Sequence, residues 1–107
     1  MEDIVKSSVE RINESVSCAE AVFPKNLKFL RKKANGISLR DFSELTGLTL
    51  STLFQVEKGV DVRSPAFKTV LKIHAFFKDF VSMDELLYVD LEEREKRLLN
   101  NKEQEMK

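Results

Sequence analysis

The chain is poor in the residues that make turns and bonds. It has three glycines, two prolines, one cysteine, one histidine and no tryptophan in 107 residues. So few glycines and prolines leave little room for a turn-rich β fold. Cys18 alone cannot form an internal disulfide. With one histidine and one cysteine at no ligand spacing, no metal site is expected. His74 reads as a helix residue at the edge of a core, and Cys18 as a passive small residue without a basic neighbour to activate it. There is no apolar run of 18 residues, so no membrane span is expected. The opening "MEDIVKSS" lacks the basic start and apolar stretch of a leader. Together these absences lead to the expectation of a cytoplasmic chain. Phosphate loops and nucleophile elbows are also missing, so no enzyme and no cofactor are expected.

What is present is helical pattern and charge. Net charge is zero from 18 bases and 18 acids, but their distribution is uneven. Residues 1–23 carry five acids and two bases, and residues 81–107 eight acids and five bases. Residues 24–80 carry eleven bases and five acids, a net +6. A basic centre between acidic flanks suits a polyanionic partner.

Residues 3–23 read as one amphipathic helix. Val5, Val9, Ile12, Val16, Ala19 and Phe23 recur at alternating steps of four and three, a heptad seam. The seam either pairs with a second chain or folds back on Leu91 and Leu98 of its own chain; its regularity favours pairing. Pro24 is expected to end this helix. A basic helix follows over Lys25–Ala34, with Leu27 and Leu30 inward, and Asn35-Gly36 stops it. Its Lys28, Arg31, Lys32 and Lys33 read equally well as a solvated face and as phosphate contacts.

Ser38 is the expected N-cap of a helix over Leu39–Thr46, which Gly47 ends. Thr49 caps the next, Leu50–Lys58, and Gly59 ends that one. Ser64 and Pro65 are expected to open another helix, with Phe67, Val70, Leu71, Ile73 or His74, and Phe77 inward. Ser82 to Glu85 is a capping-box pattern for a short helix through Leu87. From Leu91 the sequence is helical in propensity and nearly all polar, with Leu91, Leu98 and Leu99 available to one face and the last eight residues frayed.

The pair of helices around Gly47 has the residues a helix-turn-helix needs. Phe42 is an apolar anchor beside the small Ser43. Gly47 accepts a positive φ. Leu48, Leu53 and Val56 point back to the core. With "NLKFLRKK", "ISLRDFSELTGLTLSTLFQVEKG", "SPAFKTVLKIHAFF" and "VSMDELLYVDL", residues 26–91 resemble the phage-repressor (Cro-type) helix-turn-helix family, also called the xenobiotic-response-element family. Glu57-x-Gly59 at the end of the second helix is typical of it.

The resemblance implies an all-α fold. A five-helix domain (24–91) would carry an added N-terminal amphipathic helix (1–23), a possible dimerisation element, and a polar helical tail (92–107). It implies a homodimeric repressor bound to double-stranded operator DNA. Base contacts would come from Leu50, Ser51 and Gln55, and phosphate contacts from Arg40, Thr49, Thr52, Lys58 and Arg63. Arg31 and Glu57 would form a structural ion pair. Three residues depart from the pattern. Leu39 and Leu50 stand where polar residues are usual, and Phe54 precedes Gln55 on no assigned face. They leave a second reading open: a protein-interaction module, antitoxin-like or adaptor, that uses Leu39, Leu50 and Phe54 as its contact.

Overall fold

The computed structural model describes residues 2–34, 36–59 and 65–105, and the side chains of 7–34, 36–59 and 65–102. Asn35, Arg63 and Ser64 lie outside the described residues, and with them the expected Asn35 stop and Ser64 cap. The described residues form six helices and no strand: α1 (Glu2–Lys33), α2 (Leu39–Thr46), α3 (Leu50–Lys58), α4 (Phe67–Phe76), α5 (Met83–Tyr88) and α6 (Leu91–Glu105). The all-α expectation and the helix-turn-helix fold are therefore met.

Each helix contributes to one core. Phe23, Leu27 and Leu30 come from α1, Phe42 from α2, Leu53 and Val56 from α3, and Ile73 from α4. Phe77, Val81, Leu86 and Leu91 close it. The Phe42 ring stacks on Phe77 with centroids 5.7 Å apart and meets the Phe76 ring edge-on at 5.0 Å.

Pro24 does not end the first helix. α1 runs through it for 32 residues. An interior proline lacks the N–H that would bond the Glu20 carbonyl, and costs about 3 kcal/mol. Burying Phe23, Leu27 and Leu30 on the same face returns about 1.5–3 kcal/mol each. The apolar stripe crosses the proline without losing phase, so the two expected helices are one.

Asn26 occupies the next seam position after Phe23 and is fully buried. Its Nδ2 donates to the carbonyls of Leu86 (2.8 Å), Val89 (2.7 Å) and, more weakly, Glu85 (3.3 Å). Its Oδ1 accepts from the Leu91 N–H at 3.1 Å. One side chain thus closes the end of α5 and the start of α6, satisfying groups that a helix end leaves orphaned.

The Ser82 capping box forms: its hydroxyl accepts from the Glu85 N–H, and the Glu85 carboxylate accepts from the Ser82 N–H at 3.0 Å. The helix it starts reaches Tyr88, one residue beyond the expected end. The helix after the α3–α4 connection starts later than expected. Pro65 precedes it, Ala66 stands at its N-cap without a side-chain bond, and Phe67 is its first residue. Its inward face is Thr69, Ile73 and Phe77, at steps of four. Phe67 and Leu71 sit about 200° around the helix from that face, so they are exposed, at 75% and 42%. Leu98 and Leu99 of α6 are exposed as well, at 56% and 54%. The radius of gyration, 16.3 Å, exceeds the roughly 13 Å of a compact domain of about 100 residues. The N-terminal half of α1 and the end of α6 extend beyond the shared core.

Candidate nucleic-acid interface

Local bonds fix the α2–turn–α3 unit. Ser38 has extended backbone, and its hydroxyl accepts from the Asp41 N–H at 3.1 Å. Thr46 Oγ1 donates to the Phe42 carbonyl at 2.8 Å and accepts from the Leu48 N–H at 3.3 Å. Ser43 Oγ donates to the Leu48 carbonyl. Gly47 takes a left-handed φ of 75°, which the reversal between the helices requires. Leu48 then packs on the core.

Thr49 caps α3. Its Oγ1 accepts from the Thr52 N–H at 3.1 Å and donates to Thr52 Oγ1 at 2.7 Å. The Thr52 hydroxyl proton therefore stays available to an outside acceptor. At the other end, Gly59 turns left-handed with φ 65°.

α3 is also held from behind. Arg31 Nε and Nη2 donate to the two carboxylate oxygens of Glu57 at 2.8 and 3.1 Å, and Arg31 Nη1 donates to the Ile37 carbonyl at 2.6 Å. The pair is largely buried, with side chains 16% and 7% exposed. One guanidinium joins the end of α1, the entry to α2 and the last turn of α3 in a planar fork.

With Leu53 and Val56 inward, the opposite side of α3 faces solvent. Ser51 is exposed, Gln55 half-buried, and Leu50 and Phe54 are 44% and 48% exposed. Leu50 and Phe54 are one turn apart and share a face. The Lys58 ammonium stands over the Phe54 ring, 4.6 Å from its centroid. Arg40 and Thr49 are exposed beside this unit. Leu39 is half-buried and packs on the core, so it does not join the Leu50–Phe54 face. Three residues that organise the unit escaped the sequence reading: Thr46, Ser43 as a donor, and Lys58 as the partner of Phe54.

A helix-turn-helix family model matches residues 27–86, more than half of the chain. The chain belongs to the helix-turn-helix family. No curated protein and no solved structure matches it. The family is one of DNA-binding transcription regulators, generally without enzymatic activity. In this helix-turn-helix protein, α2 and α3 with the Gly47 turn form the motif, and α3 is its second helix.

His74, on α4, and Cys18, on α1, lie outside the α2–α3 unit. His74 Nε2 lies 3.1 Å from the Val81 carbonyl. Cys18 is exposed, its thiol 3.8 Å from the Tyr88 carbonyl. Asp90 pairs with Lys25 at 2.7 Å, which lowers the carboxyl pKa and raises that of the amine. No group of His, Cys, Asp or Glu among the described residues is arranged to hold a metal ion. No described helix is long and apolar enough to cross a membrane.

Proposed function

We propose that the protein is a sequence-specific transcriptional repressor that binds operator DNA as a homodimer, with α3 in the major groove. The observation that supports this is the outward N-terminal face of α3, on a helix capped at Thr49 and clamped at Glu57 by Arg31. Gln55 bonds an adenine edge in two places, and Ser51 takes a donor or acceptor. Leu50 lies on a thymine methyl, the one apolar group on the major-groove edge. Arg40, Thr49, Thr52, Lys58 and Arg63 take phosphates, helped by the free N–H groups at the helix starts. Two such helices about 34 Å apart reach successive major grooves and occlude a promoter.

The test is selection of genomic DNA by the purified full chain at fixed, near-physiological salt. Enriched sites with paired half-sites are expected, and a flat profile counts against the reading. On a selected site, Gln55→Ala relaxes sequence choice. Arg40→Ala weakens all DNA alike and lowers the salt slope by about 1. Uracil in place of thymine weakens binding at the Leu50 position and nowhere else.

The joint exposure of Leu50 and Phe54 favours a second reading, a protein-interaction module on the same fold. Lys58 over Phe54 puts a cation on that face, which suits DNA better. Phe54→Ala separates the two readings: a module loses its partner, whereas a repressor keeps most of its operator affinity.

A further inference from the structure

The seam on α1 has a covered end and a bare end. Val9, Ile12, Val16, Ala19 and Phe23 stand on one line of the helix. The chain's own core covers Phe23, which is 3% exposed, while Val9, Ile12 and Val16 are 51%, 60% and 49% exposed. α1 is nevertheless helical from Glu2. Three exposed apolar side chains in a row on one helix face form a surface suited to a partner.

Beside the covered end lies an open apolar groove of about 200 Å³, walled by Ala19, Phe23, Val70, Leu87 and Tyr88. A shallower groove continues from it past Tyr88, over Val16 and Ile12. The bare ridge therefore runs into the groove along one seam, with Val9 at its far end and Ala19 at the groove. Val9 and Ala19 are each five residues from Glu14.

This layout is self-complementary. A two-fold axis at Glu14, with the second helix reversed, sets Val9 of one copy against Ala19 of the other, at the mouth of the groove. Ile12 of each then meets Val16 of the other. Every contact i–j recurs as j–i, as a two-fold interface demands. The flanking positions Ser8, Asn13 and Ser15 are uncharged, so an identical helix meets no like charge along them.

We propose that a second copy of this chain covers this face, as an antiparallel two-fold pair of α1 helices. The proposal rests on the homodimer reading above and names its surface, and the pair forms without DNA.

Sedimentation of the full chain without DNA gives a dimer, and Ile12→Glu raises its dissociation constant roughly 100-fold or more, because a charge replaces a buried apolar contact. Circular dichroism and melting of the same variant verify that the remaining helices stay folded. The direction of pairing is read by mixing Ile12→Cys with Val16→Cys chains, both carrying Cys18→Ser. The antiparallel pair gives the mixed disulfide. A monomeric wild type, a dimer that survives Ile12→Glu, or homotypic disulfides in place of the mixed one overturns the proposal. DNA binding is scored separately, on a single half-site. Half-site binding by a monomeric wild type leaves the α3 reading standing and removes the pairing, whereas an intact dimer that binds no DNA removes the operator reading and leaves the pairing.

Discussion

The Asn26 amide meets backbone from two helices, and an alanine there abandons all of it. The carbonyls of Leu86 and Val89 and the Leu91 N–H would lose their partner in the interior. Leaving buried polar groups unmatched costs about 1–3 kcal/mol each. Asn26→Ala is therefore expected to cost about 3 kcal/mol or more, read as a shift in urea midpoint at constant slope. Asn26→Asp should cost at least as much, since a carboxylate would face carbonyl oxygens. An effect within about 0.5 kcal/mol, typical of surface positions, would remove Asn26 from this role. Glu85 offers a second test. The Ser82 N–H, the Arg94 guanidinium at 2.6 Å and the Ser82 hydroxyl all hold its carboxylate charged, lowering its pKa from 4.5 to about 2. A depressed carboxyl contributes stability that is full above pH 4.5 and is lost as pH falls toward 2. Glu85→Gln should flatten the stability profile in that window and leave it unchanged at neutral pH apart from a constant offset. Asp90, depressed by Lys25, keeps its own part of the slope. The Glu85 role was legible from the capping-box spacing, because its partner lies three residues away. Asn26 was not singled out, since its partners lie about 60 residues on. Its one sequence signal is a polar residue at the seam step after Phe23.

Helix limits divide in the same way. α2 and α3 start and stop where Ser38, Gly47, Thr49 and Gly59 predict, because each cap acts within about four residues. Pro24 and Pro65 misled, because a proline's local preference yields to packing that only the assembled core supplies. Pro24→Ala should make that visible. It restores the N–H for the Glu20 carbonyl in a helix already continuous there, and should stabilise the fold by about 1 kcal/mol or more. A thermal melt decides: a lower midpoint would mean that the Pro24 ring is worth more than the bond it removes. Leu39 gives the same lesson on the candidate site. Its place at the start of α2 is legible, but its burial against the core depends on neighbours distant in sequence. Leu50 and Phe54, in contrast, follow from the 3.6-residue period once Leu53 and Val56 are known to point inward.

Across the whole molecule, the neutral total conceals a basic middle between acidic ends, and the helix-turn-helix unit lies within the basic part. The continuity of α1 also has a mechanical consequence. The same helix carries the proposed pairing face around Glu14 and, 17 residues on, the Arg31 that holds the last turn of α3. At 1.5 Å per residue the two lie about 26 Å apart on one rigid arm. In the proposed dimer, that arm sets how far apart and at what angle the two α3 helices are offered. One residue inserted after Glu20 would turn each folded body by about 100° against the pairing face, leaving affinity for a two-half-site operator near that of one half-site. Seven inserted residues would nearly restore the phase while lengthening each arm by about 10 Å, so the preferred operator would need a longer spacer. Selection of DNA with the two insertion variants reads this directly. The arm's length in residues would then be written, in base pairs, into the sites the protein prefers.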